Sequence, residues 1–267
     1  MRFHPDGKAL LDHLYTEPDP RTYFGSLRAL DYRIPGVAKP HFAVLIETLR
    51  AARTGITVLD IGCSYGINAL LLRCDTTMDQ LYERYADPAP RDVLVERDRS
   101  IVATRNRWPD TRFLGLDVSE PALRYAREAG LLEVALDADL ESDDPTPAQA
   151  LALSKTDLAI STGCIGYVTE RTLDRVVRTA DRPPWMAHFV LRMYPYAPIA
   201  QRLSELGYDT TLVGRPHRQR RFASAEEQAQ VLDNLSGLGI DPTGLEADGW
   251  LYAELFISRP RGAAGAP

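Results

Sequence analysis

In Val58-Leu59-Asp60-Ile61-Gly62-Cys63-Ser64-Tyr65-Gly66 an apolar run meets an acid, and two glycines then open a second apolar run, Ile67 to Leu72. Strand, glycine turn and helix in that order form the first unit of a nucleotide-type α/β fold. Glycine lets the turn backbone pass close to a ligand, and the N-terminus of the next helix presents N–H groups that the helix itself does not use. Asp60 narrows the reading. A pyrophosphate at this turn would be repelled by a carboxylate. An acid followed by Gly-x-x-x-Gly suits a ligand with a cationic or hydroxylated centre.

Working outward, strands and helices alternate on the C-terminal side. Thr57 to Ile61 is apolar apart from Thr57 and Asp60 and does not alternate, as expected of a central parallel strand buried on both faces. Further strands are expected at Arg112 to Asp117, Glu133 to Leu136, Asp157 to Ile160, Trp185 to Met193, Tyr208 to Val213 and Trp250 to Ser258. Ser119 and Pro121 open a helix that stops at Gly130, Thr169 caps another, and Ser224 with Glu227 forms a capping box. Such alternation predicts an α/β protein with a doubly wound, seven-stranded, mostly parallel sheet. Residues 76–110 exceed what one connection needs and read as a helical insertion, with Thr76 as a cap and Val93 to Arg107 helical. Glu141 to Pro147 reads as an acidic loop.

On the N-terminal side, residues 1–55 form a helical leader rich in aromatics: Phe3, Tyr15, Tyr23, Phe24 and Tyr32. Short helices are expected at Ala9 to Tyr15 and Thr22 to Leu30, with an extended stretch Asp31 to Pro35 before its proline. A packed helix follows over Phe42 to Leu49. Residues 56–258 form the main domain, and 259–267 a flexible Gly/Ala/Pro tail.

The chain has 267 residues, 45% of them hydrophobic, and a net charge of −6. That charge argues against nucleic-acid and anionic-membrane partners. The basic run Arg215 to Arg221 reads as a solvated loop. Three cysteines without a pairing or metal-ligand spacing suit a reducing cytosol and no metal site. No apolar run matches a signal peptide or a membrane span.

In a doubly wound sheet, ligands sit beyond the carboxyl ends of the strands. Asp60, Asp117, Asp139 and Ser161-Thr162-Gly163 all end strands and converge there. Asp117 can accept from the vicinal hydroxyls of a ribose and disfavours a 2′-phosphate. Asp139 can accept from an adenine amino group while the Leu140 N–H donates to a ring nitrogen; Asp137 fits either job by spacing.

The opening stretch resembles the first motif, D/E-x-G-x-G-x-G, of class I S-adenosylmethionine (SAM) methyltransferases. Gly115-Leu116-Asp117-Val118-Ser119-x-x-Ala122-Leu123-x-x-Ala126 resembles the second, and Asp139-Leu140-Glu141 the third. The chain departs from the family at Ser64, which replaces the middle glycine, and in the long spacing from Gly66 to Asp117. The resemblance implies the Rossmann-like methyltransferase fold, with residues 1–55 as a lid over the site. It implies SAM as cofactor, held by Asp60, Gly62, Cys63, Ser64, Gly66, Asp117, Val118, Asp139, Leu140, Ser161 and Thr162. It also implies methyl transfer to a small molecule, in secondary metabolism.

On the acceptor side, Tyr167, Tyr194, Tyr32 and His188 are the expected catalytic residues. Tyr23, Cys164, Arg192 and Tyr196 are expected to bind substrate. A tyrosine offers both a hydroxyl and a ring face to a sulfonium, a histidine can serve as base, and Arg192 can pair with a carboxylate. His188 lies inside an apolar strand, so a core role competes. Two other readings stand beside methyl transfer. One is a cyclase of the same fold that turns the aminocarboxypropyl chain of SAM into a strained cyclic amino acid and releases methylthioadenosine. The other is a non-catalytic SAM- or dinucleotide-binding module.

Overall fold

The computed structural model describes residues 12–262. The expected start of the first helix at Ala9, Phe3 of the leader and most of the tail lie outside that range. Seven strands form one sheet: β1 (Thr57–Ile61), β2 (Arg112–Asp117), β3 (Val134–Asp137), β4 (Leu158–Thr162), β5 (Trp185–Leu191), β6 (Tyr208–Arg221) and β7 (Trp250–Pro260). Their order is β3-β2-β1-β4-β5-β7-β6. β1 to β5 run parallel, and β7 runs antiparallel between β5 and β6. This is the doubly wound, mostly parallel Rossmann-like sheet, and the strand order reverses between β1 and β4, where such sheets open a crevice.

Successive strand residues point to opposite faces, so each central strand feeds two cores. Val58, Phe113, Ile160 and Ala187 pack beneath α1 (Arg21–Ala29), α2 (Ile34–Ala52), α3 (Ile67–Cys74), α4 (Met78–Arg84), α5 (Arg91–Arg105) and α6 (Glu120–Glu128). Leu59, Leu114, Ala159 and Met186 pack on the other face, beneath α7 (Pro147–Leu153), α8 (Glu170–Thr179), α9 (Ala197–Glu205) and α10 (Ala225–Gly237). The leader shares the first of these cores. Phe24 of α1 stacks on Tyr85 at 4.5 Å and Tyr23 meets Tyr65 at 5.9 Å.

Four local expectations are corrected. Asp31 to Pro35 is not extended: α2 begins at Ile34, with Pro35 in the first turn, where a missing N–H removes no helical bond. Thr77, not Thr76, caps α4, with Gln80 completing a capping box. Beyond the acidic loop, α7 starts at Pro147 under a second Thr–Gln box, Thr146 and Gln149. The basic run is not a solvated loop. It is the second half of β6, paired with β7 through Arg221↔Trp250.

Candidate active site

The β1–α3 turn approaches β4 so closely that only glycine fits at its start. Gly62 has φ 67°, and a Cβ there would fall 2.6 Å from Cys164 Cβ. Ser64, which stands where the motif it resembles has its middle glycine, also adopts the left-handed region, with φ 51°. That conformation aims its backbone N–H at Asp117 Oδ2, 2.8 Å away, while Oδ1 accepts from the Ser119 N–H at 3.0 Å. Burial pushes the Asp117 carboxyl above its ordinary range, and these N–H donors oppose the shift. At the end of β3, Asp139 is more exposed. It accepts from the Ser142 hydroxyl at 2.7 Å and the Glu141 N–H at 3.0 Å, which hold its carboxyl low.

Beneath the turn lies Asp60, fully buried. Its Oδ1 accepts from Asn68 Nδ2 at 3.0 Å, and the same amide donates to Thr162 Oγ1 at 3.1 Å. Burial raises the Asp60 carboxyl to about 7. Three polar atoms here have no hydrogen-bond partner among the described residues: Asp60 Oδ2, Asn68 Oδ1 and Ser64 Oγ.

The leader closes the other side. The Tyr65 hydroxyl reaches the carbonyls of Leu14 and Glu17 at 3.0 and 2.9 Å, and the Ser119 hydroxyl donates to the Tyr15 carbonyl. The link between α1 and α2 pairs with the end of β6, Arg33 N–H to Gln219 O at 2.9 Å and Arg221 N–H to Leu30 O at 2.7 Å. Tyr15, Tyr23, Tyr32 and Tyr167 line the resulting crevice of about 800 Å³. Burial keeps the leader tyrosines protonated; Tyr32, hydrogen-bonded to Tyr23, is pushed up to about 12.

Most residues expected in the site from the sequence meet at this crevice. Gly62, Cys63, Ser64, Asp117, Val118, Asp139, Leu140 and Thr162 line it, as do Tyr23, Tyr32, Cys164 and Tyr167. Of the two acids open by spacing, Asp139 faces it and Asp137 does not line it. Seven do not line it. Asp60 lies behind Asn68, and Gly66 is the N-cap of α3. His188 and Ser161 are register partners on the other face of the sheet, with Ser161 Oγ 2.8 Å from His188 Nδ1. Burial pushes His188 down to about 3, so it is a neutral core residue and not the expected base. Arg192 donates to Glu246 at 2.5 Å and to the Asp241 carbonyl at 2.9 Å. Tyr196 stacks on Phe256 at 4.2 Å. Tyr194 packs against Gly166, where a Cβ would fall 2.6 Å from its ring, and lies 6.5 Å from Tyr167. It supports Tyr167 from behind.

Sequence reasoning missed Asn68, Tyr15, Gln219 and Arg220, all lining the crevice. Asn68 carried a usable signal, being the one polar residue in Ile67 to Leu72. Gln219 and Arg220 were hidden in the basic run. No group of three or more His, Cys, Asp or Glu is placed to hold a metal among the described residues.

No family model and no curated protein matches the sequence. Solved structures do resemble the fold. The plantazolicin methyltransferase BpumL, in complex with a triazolic desmethylPZN analog and SAH, is 11% identical, with 94% of this chain and 95% of that one covered and a TM-score of 0.48. Magnesium protoporphyrin IX methyltransferase from Synechocystis PCC 6803, with bound SAM, is 14% identical over 84% and 80%, at 0.41. EvdMO1 is 14% identical at a TM-score of 0.45; the match covers 85% of this chain and 41% of that one, so this chain spans less than half its length.

Proposed function

We propose that this chain binds SAM in the crevice and transfers its methyl group to a small-molecule acceptor, as a cytoplasmic enzyme of secondary metabolism. Asp117 carries the reading. Its carboxylate is oriented by the N–H groups of Ser64 and Ser119 at the crevice wall. An acceptor-only group fixed there suits vicinal ribose hydroxyls and excludes a 2′-phosphate. Leu140 and Asp139 extend the same wall toward a base. The partnerless Ser64 Oγ and Asn68 Oδ1 fit the polar remainder of such a ligand. No described helix is long and apolar enough to cross a membrane.

When bound, a sulfonium supplies an electrophilic methyl carbon. The chain's own contribution is to exclude water and orient. Leader tyrosines that stay neutral offer ring faces to a cation and hydroxyls to an acceptor without becoming bases. Calorimetric titration with S-adenosylhomocysteine tests the binding half of the proposal, and a heat signature for NAD but none for the homocysteine would sink it.

One observation favours the cyclase as a second reading. With His188 behind the sheet, no histidine lines the crevice among the described residues to deprotonate an acceptor. In the cyclase reading, the ligand's own amine, after losing a proton to solvent, bonds to a carbon of its side chain. The carbon–sulfur bond breaks with its electron pair going to sulfur, and methylthioadenosine leaves. Incubation with SAM alone separates the two: methylthioadenosine and a cyclic amino acid mark the cyclase. Adenosylhomocysteine formed only when an acceptor pool is added marks the methyltransferase.

A further inference from the structure

Arg220 is the one cationic side chain lining the crevice among the described residues. The carboxylates that line it, Asp117, Glu120, Asp139 and Glu141, follow β2 and β3. Arg220 comes from β6 at the opposite edge of the sheet. The register of β6 against β7 slips between Val213 and His217 and again between Arg218 and Arg220. Such irregularities bend a strand and re-aim its side chains. The bend carries the end of β6 over β4, where a Cβ on Gly163 would lie 2.5 Å from Gln219 Nε2.

The guanidinium is built in, not draped. Arg220 is 2% exposed and Glu227 0%. Nη1 and Nη2 donate to the two Glu227 oxygens at 2.9 and 2.6 Å, and Nη1 also donates to the Arg221 carbonyl at 2.9 Å. Glu227 is itself fixed by the Ala223 N–H at 2.7 Å. Nε–H and the second Nη2–H donate to no other described residue. Burying an ion pair costs several kcal/mol of desolvation, and an apolar pair would join β6 to α10 as well. A guanidinium fixed on one edge by a carboxylate, with donors left on the other, suits a second planar oxyanion. Tyr15 and Tyr32 lie close enough to feel its charge, and Gln219 Oε1 beside it has no partner among the described residues.

We propose that Arg220, positioned by Glu227, binds a carboxylate of the ligand at the leader end of the crevice. The inference rests on the crevice being the SAM site and names what its far end recognises. The carboxylate has two sources: the amino-acid end of the sulfonium ligand, or the acceptor. The role expected of Arg192 falls to Arg220.

The test compares wild type with Arg220→Gln/Glu227→Gln, which keeps a neutral hydrogen-bonded pair, and with Arg220→Lys, which keeps charge but loses the fork. Folding is checked by circular dichroism. The probes are S-adenosylhomocysteine, methylthioadenosine (which has no carboxylate), and benzoate against benzamide in the presence of the homocysteine. If the carboxylate is the ligand's own, both variants lose about tenfold or more in homocysteine affinity, with methylthioadenosine binding unchanged. If it is the acceptor's, homocysteine affinity holds, while benzoate stabilises wild type more than benzamide does and the variants lose that difference. Unchanged homocysteine affinity in both variants, with benzoate no better than benzamide in wild type, overturns the proposal. A wild type that binds neither nucleoside overturns the SAM reading beneath it, a result distinct from loss in the variants alone.

Discussion

At the scale of single residues, the β1–α3 turn is tightly constrained. Gly62 combines a left-handed φ with a Cβ clash against Cys164. Gly62→Ala therefore carries backbone strain of about 1–2 kcal/mol plus the clash, and urea unfolding should show a loss above ~1 kcal/mol. Adding Cys164→Gly should return the clash part and leave the backbone part, so full recovery would show that φ matters little. Asp117 makes a separate prediction. Asp117→Ala removes hydrogen bonds to a charged group, worth about 1.5–3 kcal/mol, and should weaken S-adenosylhomocysteine binding by roughly tenfold or more. Asp117→Asn retains one acceptor oxygen for the Ser64 N–H and should hold the turn, so thermal unfolding is expected near that of wild type. Unchanged nucleoside affinity in Asp117→Ala would remove Asp117 from the ribose.

At the scale of elements, the leader is held by hydrogen bonds from residues that follow β1 and β2. Tyr65 reaches Leu14 and Glu17, and Ser119, two residues after Asp117, holds Tyr15. Tyr65→Phe should raise amide exchange in residues 12–20 while leaving β1 to β5 protected; protection equal to wild type would show that packing alone seats the leader. How much of this was legible in the sequence divides by element. The strand–acid–helix units were readable because a doubly buried strand and a capped helix each leave a local pattern, and acids stand at or next to the ends of three strands in the expected order. The end of β6 was not. Arg218 and Arg221 are exposed, and both lie over the Trp250 ring, at 4.7 and 4.5 Å, while Gln219 and Arg220 between them are buried. Bulges break the alternation that marks a strand, and a buried guanidinium is invisible until its partner, Glu227, is placed. Likewise His188 fits either a base or a core residue until the register with Ser161 assigns it a face.

At the scale of the whole molecule, two buried groups pull stability in opposite directions with pH. His188 is held down to about 3 by burial. Between there and its unfolded value near 6.5, the unfolded chain binds the extra proton, so stability rises with pH by up to about 1.4 kcal/mol per unit. Asp60 is raised from 3.8 to about 7 by burial. Across that interval the folded chain binds the extra proton, so its contribution is present below the unfolded value and is lost as pH rises through the folded one. From about pH 4 to pH 6.5 the two slopes largely cancel, and the wild-type unfolding free energy should vary less there than either group alone demands. Asp60→Asn can still accept from Asn68 and removes one slope; its stability should climb with pH over this range. His188→Gln removes the other, and its stability should fall with pH. Urea unfolding of the three proteins at half-unit steps reads these trends as differences, which cancels the carboxylates common to all. Parallel curves would mean that neither group is as isolated from water as its burial implies. Opposed curves would establish that an acid on the crevice face of the sheet and a histidine on the other jointly set the pH tolerance of the fold.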